Sequence, residues 1–304
     1  MSKIRVIFLL LLLLGGAVVV YILYTDKSKV PLGLSFSPVF QLLGKSTNSL
    51  NVALTKIMPI DEMDEKAYGD AMAESYQSVV DPKDVTYIYL NLLIQDLSVF
   101  SKKSFDYRVF VISTSIPNAF ALPGGVICVT EGLLGTLKSE AQIVSVLSHE
   151  MGHVELGHCF EAIKYELAFK KIKAPSVGQL ADFTINLFLR HSFSKAQENA
   201  ADEYGYDLLL LTKYDPMAAS DAFRVLQRME DPAHQYSTNI VSDYFETHPP
   251  LPMRIGKFNH MALEWWQEHR GVDNRYVGVK NLNALVPLSK RAFSNEWIDH
   301  LNSI

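Results

Sequence analysis

Cysteine is scarce: Cys128 and Cys159 are the only two among 304 residues. That excludes a disulfide-built scaffold, which needs several bridges to stand in for a small core. Two isolated buried thiols are the expectation. Basic charge is not in excess either. The 28 Lys and Arg residues are outnumbered by 33 Asp and Glu, giving a net charge of -5. Nucleic-acid binding calls for a basic face, so no nucleic acid is expected among the partners. No internal repeat and, one apolar run aside, no low-complexity tract occurs, which excludes solenoids and propellers.

That apolar run stands at the N-terminus. From Val6 to Tyr24 there is no charged residue, and the stretch is long enough to cross a bilayer core as one helix. A cleaved signal peptide has a shorter run and small residues at its cut site. Here the run continues through Val18-Val19-Val20-Tyr21-Ile22-Leu23-Tyr24. An uncleaved anchor is therefore expected, with release after signal cleavage as the alternative. Lys3 and Arg5 precede the run, while Asp26, Lys27 and Lys29 follow it. The positive-inside bias places the N-terminus inside and the rest of the chain across the membrane, which in a bacterium is the periplasmic face. No second span is expected, because the run Leu180–Leu189 is short and contains Asp182 and Asn186.

The chemistry is concentrated in Ser148-His149-Glu150-Met151-Gly152-His153-Val154-Glu155-Leu156-Gly157-His158. On a helix, His149 and His153 project from one face a turn apart and can bind one zinc ion. Glu150 lies beside them and can take a proton from water activated by that metal. The preceding segment predicts the helix. Ser139 is a candidate N-cap with Gln142 as its returning partner, and Ile143, Val144, Val146 and Leu147 supply an apolar face.

A catalytic zinc needs a third protein ligand. Glu198 in Glu198-Asn199-Ala200-Ala201-Asp202 is the best candidate, on a helix expected from about Ser194 to Leu211. Asp202 is one turn on and can orient a ligating imidazole. The small Ala200 and Ala201 would let the two helices approach closely. His158 lies nine residues after His149, so on a continuous helix it points to the opposite face. It follows Gly157, where the helix can end, and reads as a capping or surface histidine rather than a ligand.

Around these motifs the pattern is α+β. Residues from about 31 to 60 read as a juxtamembrane linker. Helices are expected near Asp61–Val80 and Asp84–Lys102, separated by Asp81-Pro82. Tyr107–Ile112, Asn118–Leu122 and Val126–Thr130 read as strands, the last two joined by a Pro123-Gly124-Gly125 turn. From Ser139 to about Arg228 the chain is mostly helical, and a final helix is expected near Lys290–Asn302. The predicted organisation is an anchor over 1–30, the linker over 31–60, a main domain over 61–265 and a tail over 266–304.

His149-Glu150-x-x-His153 followed by Glu198-x-x-x-Asp202 resembles the gluzincin zinc endopeptidases of the CAAX prenyl-protease and HtpX heat-shock-protease family. Asn118-Ala119-Phe120-Ala121-Leu122-Pro123-Gly124-Gly125 is similar to the family's edge-strand segment, which runs beside the substrate. Thr247-His248-Pro249-Pro250, with Arg254 after it, is similar to the family's His-Pro segment, whose histidine assists the oxyanion. The resemblance extends from about Asp61 to His260. It implies a mainly helical zincin-type domain with a small sheet, and one zinc ion per chain on His149, His153 and Glu198. Glu150 is then the general base and His248 the oxyanion donor. Asp202 and Arg254 become supporting residues, and Asn118, Ala119, Phe120 and Ala121 contact a polypeptide substrate. One anchor ahead of a domain without further spans is similar to the periplasmic and mitochondrial quality-control members, whose substrates are unfolded or misassembled proteins. A catalytically weak chaperone or assembly factor is the alternative, against which an intact Glu150 argues.

Overall fold

The computed structural model describes residues 62–77, 80–163, 193–229, 251–271 and 274–299. These belong to the unit Ile60–Ile304. The run Val6–Tyr24, the linker and Thr247–Pro250, including His248, lie outside the described residues.

Two helices open the fold, α1 (Glu62–Gln77) and α2 (Val85–Ser98). The break falls at Asp81-Pro82, after which Asp84 caps α2 by accepting from the Tyr87 amide at 2.7 Å. The buried residues of α2, Tyr89, Leu90, Leu93, Ile94 and Leu97, recur at helical spacing and form one stripe. That stripe lies against β1 (Arg108–Ile112) and the helix that carries the histidines.

Strands β1, β2 (Ala119–Leu122) and β3 (Val126–Thr130) form a sheet in the order β1-β3-β2. β1 runs parallel to β3, and β2 antiparallel to it. Every residue of β3 is buried, as expected of a central strand covered on both faces, which explains its unbroken apolar run. Gly124 and Gly125 make the β2–β3 turn at φ of 78° and 90°, a region open to glycine at no steric cost. Gly124 also has no room for a side chain. A Cβ there would stand 2.6 Å from the Cα of Gly69 in α1.

The helical body follows: α3 (Glu131–Thr136), α4 (Glu140–Glu155), α5 (Lys195–Leu211), α6 (Ala218–Met229) and α7 (Leu251–Glu268). Ser139 caps α4 by accepting from the Gln142 amide. The expected return of Gln142 to Ser139 is displaced by one residue, since its Oε1 accepts from the Lys138 amide at 2.7 Å. A complete capping box stands instead on α5, between Ser194 and Gln197.

The end of the chain corrects one expectation. Over residues 290–299, the described part of the helix expected near Lys290–Asn302, there is instead a short 3₁₀ turn at Ser294–Glu296 and then β5 (Trp297–Ile298), paired antiparallel with β4 (Arg275–Tyr276). The reason is a side-chain competitor for the backbone. Asn281, buried in the short α8 (Val279–Ala284), donates to the carbonyls of Val286 and Arg291 at 2.8 Å each, and Tyr276 accepts from the Phe293 amide. These contacts pin the segment in an irregular path before a helix can start.

The tail is stitched to the start of α4. The amides of Glu140 and Ala141 donate to the carbonyls of Gly278 and Val277. The Glu140 carboxylate, fully buried, accepts from the hydroxyls of Tyr89 and Tyr214 and from the Leu288 amide. The whole is mostly helical with small sheets, an α+β arrangement. Among the described residues no helix is long and apolar enough to cross a membrane.

Candidate metal centre

Helices α4 and α5 cross where neither carries bulk. A Cβ on Gly152 would lie 2.8 Å from the carbonyl oxygen of Ala201, and one on Gly205 would lie 2.8 Å from the Cα of His149. The backbones therefore meet directly at the histidine pair. Ala201 and Gly205 are spaced by four, so they share a face. That spacing is a readable signal of close helix approach, and Gly205 is the partner that the composition of the Glu198–Asp202 segment alone does not reveal.

This crossing brings His149, His153 and Glu198 together, all buried, as a three-residue group able to hold a metal ion. The Nε2 atoms of His149 and His153 are 3.2 Å apart. Glu198 Oε1 is 3.4 Å from His153 Nε2, and its Oε2 is 3.7 Å from His149 Nε2. Ligands at 2.0–2.2 Å from a tetrahedral zinc stand roughly 3.3–3.5 Å from one another. The observed edges bracket that spacing, and two imidazoles with one carboxylate are a donor set that zinc takes, so the residues fit the ion.

Behind the ligands lies a charged clasp. His149 Nδ1 is 3.0 Å from Asp202 Oδ1. Arg254, from α7, grips the same carboxylate with two nitrogens, Nη2 to Oδ1 at 2.6 Å and Nε to Oδ2 at 3.0 Å. Its Nη1 is 3.5 Å from Glu198 Oε2, and its plane lies over the Phe223 ring at 4.1 Å. Arg254 Nη2 also comes within 3.4 Å of His149 Nδ1. The shorter contacts decide the proton. His149 Nδ1–H donates to Asp202, which leaves Nε2 with its lone pair toward the metal position. Burial alone would raise the Asp202 carboxyl, but the Arg254 charge and the His149 bond outweigh it and hold its pKa below the ordinary value.

Glu150 is fully buried on α4. It projects about 100° around the helix from His149, and its charge reaches the thiols of Cys128 on β3 and Cys159. Both thiols are free and buried. Burial, and then the Glu150 charge, push both upward and keep them protonated, so they are inert packing groups.

Strand β2 stands on the outer side of β3, and Asn118 enters it by a bond from the Thr130 amide to its carbonyl at 2.9 Å. Antiparallel alternation then turns the peptide groups of Ala119 and Ala121 away from β3. The Ala121 carbonyl accepts from the Cys159 thiol at 3.5 Å. All of Asn118, Ala119, Phe120 and Ala121 are buried, so the strand is covered in this state.

His158 departs from its expected position. It is 8% exposed, and its Nδ1 is 3.2 Å from Nδ1 of His153. Helical counting fails because the helix does not continue. α4 ends at Glu155, and Gly157 at φ 74° turns the chain back before the next helical residues. Gly157 was the available signal.

A model of peptidase family M48 matches residues 86–262, more than half of the chain. The chain is 31% identical over 230 residues to the mitochondrial metalloendopeptidase OMA1 of Schizosaccharomyces pombe, covering 73% of this chain and 64% of that protein. It is 35% identical over 147 residues to OMA1 of Arabidopsis thaliana, covering 47% and 29%. It is 30% identical over 154 residues to the metalloprotease LoiP of Escherichia coli, covering 47% and 57%. The chain spans less than two thirds of the length of each of these relatives. With the family model spanning the sheet, both motif helices and Arg254, the chain belongs to peptidase family M48.

Proposed function

We propose that this chain is a zinc-dependent endopeptidase that hydrolyses unfolded or misassembled polypeptides from a membrane-anchored position. The observation that carries the reading is the convergence of His149, His153 and Glu198, at edges of 3.2 to 3.7 Å, beside a buried Glu150 on the same helix. Relatives named as metalloendopeptidase and metalloprotease support it.

Zinc on that triad supplies Lewis-acid polarisation of a carbonyl and acidification of water near neutral pH. Glu150 takes the proton from the attacking water and passes it to the leaving amine. Asp202, clamped by Arg254, holds His149 in the tautomer that presents Nε2. An extended substrate pairs with the outward peptide groups of Ala119 and Ala121, which gives affinity through backbone bonds and little sequence preference. Since β2 is buried, that pairing requires the cover, including the Cys159 thiol on Ala121, to move aside. His248 donates to the developing oxyanion. The domain runs over 61–265, the tail over 266–304 closes its α4 end, and residues 1–30 anchor it ahead of a linker. Carbonate washing of membranes tests the anchor, with release of the protein counting against it.

Casein degradation with and without a chelator, in wild type and Glu150→Gln, tests the activity. The variant should lose about 10²–10⁴-fold in rate while keeping its zinc. Near-wild-type turnover in the variant would remove Glu150 as base, and chelator-insensitive degradation would remove the metal.

A further inference from the structure

We infer that His158 is a positioning residue for the metal ligand His153, acting as a neutral acceptor behind it. The inference rests on the metal reading above. His153 points Nε2 at His149 Nε2 and at Glu198 Oε1, 3.2 and 3.4 Å away, so Nδ1 is its rear nitrogen. That rear nitrogen meets Nδ1 of His158 at 3.2 Å. An imidazole that coordinates through Nε2 carries its proton on Nδ1. The contact then has one sense: His153 Nδ1–H donates, His158 Nδ1 accepts, and His158 keeps its own proton on Nε2.

The surroundings hold this pair in register. Phe193 stacks on the His153 ring with centroids 4.0 Å apart and planes 25° apart, and its ring centre lies 6.1 Å from that of His158. Phe193 stands immediately before the α5 cap Ser194. The residue that leads into the helix delivering Glu198 thus also clamps the ring that Glu198 faces. Gly157, at φ 74°, supplies the reversal that returns His158 to the site.

The two histidine ligands are therefore backed differently. His149 leans on the carboxylate of Asp202, and His153 leans on an uncharged ring. A neutral acceptor fixes orientation without placing another charge in a pocket that already buries Glu150, Glu198, Asp202 and Arg254.

The test uses the full-length purified protein and zinc alone. Zinc affinity is measured by chelator competition in wild type, His158→Leu and His158→Asn, with thermal unfolding as a control on the fold. Asn places an acceptor oxygen near the position of Nδ1, and Leu does not. His158→Leu should bind zinc about 10–100-fold more weakly, with His158→Asn recovering most of the loss. Equal zinc affinity in the Leu variant, or an Asn variant no better than Leu at matched stability, overturns the inference. If the Leu variant fails to fold, ring-nitrogen NMR of the zinc-loaded wild type decides. A proton on Nε2 of His158 and on Nδ1 of His153 supports the assignment, and a proton on Nδ1 of His158 overturns it. Failure of the wild type to bind zinc overturns the metal reading itself, which separates the two failures.

Discussion

Arg254 and Asp202 form a two-pronged ion pair, 2.6 and 3.0 Å long, between α7 and α5, with both side chains almost wholly buried. The pair is what lets a carboxylate stand ionised behind His149. It also ties the helix after Pro249-Pro250 to the one that supplies Glu198.

Replacing Arg254 with Ala leaves the Asp202 charge buried without its guanidinium. The expected loss is about 3–5 kcal/mol of stability. Adding Asp202→Asn to that variant should restore a large part of it, because the orphaned charge disappears. Denaturant unfolding of the four members of this cycle checks the coupling. Additive effects would show that the pair does not act as a unit.

Gly205→Ala should damage both packing and metal binding. The new Cβ meets the His149 backbone at 2.8 Å, and backbone cannot step aside as a side-chain end can. Overpacking of this kind costs about 1–3 kcal/mol, and the displacement falls on a ligand. Gly135→Ala is the internal control, because a Cβ there meets nothing within 4 Å. It lies in α3 and should be neutral or stabilising by up to about 1 kcal/mol. Zinc affinity and unfolding midpoints of the two variants should diverge, and parallel behaviour would remove the close crossing as the cause.

Stability should carry a pH signature from Glu140. Burial raises its pKa above the ordinary carboxylate value, outweighing bonds from Tyr214, Leu288 and Tyr89, with the Asp96 charge adding to the rise. Tyr89 and Tyr214 are themselves pushed above their usual range and stay protonated. The folded state then binds a proton that the unfolded state has released. That contribution is fully present below the unfolded pKa near 4.5 and is lost as pH rises through the folded value. In Glu140→Gln the group no longer titrates. Unfolding measured from about pH 4 to 8 should show wild type losing ground to the variant as pH rises. A constant difference across the range would show that Glu140 does not titrate in that window.

Much of this molecule was legible along single elements. The Ser139 cap, the start of a helix near Ser194, the His149–His153 and Glu198–Asp202 pairs and the Gly124-Gly125 turn all follow from local rules. Each concerns residues within a few positions, where helical period, cap chemistry and the left-handed region of glycine decide. The helix expected near Lys290–Asn302 is not found over 290–299 because the path there turns on Asn281 reaching Val286 and Arg291, a side-chain bond that no periodicity announces.

His158 marks where the sequence by itself stopped. Counting along a helix sent it to the far face, and a single positive φ at Gly157 brought it back to His153. Sequence alone determined which residues could ligate and which faces they share, because a helix sets the angle between its own side chains. Only the tertiary structure decided that Gly152 and Gly205 let two backbones touch, and that Arg254 closes over Asp202 and Glu198. It also decided that Phe193 lies on His153 and that β2 is covered. Those relations join residues far apart in the chain. They depend on where the helices cross and on how much volume each crossing can hold, which close packing settles and local propensity does not.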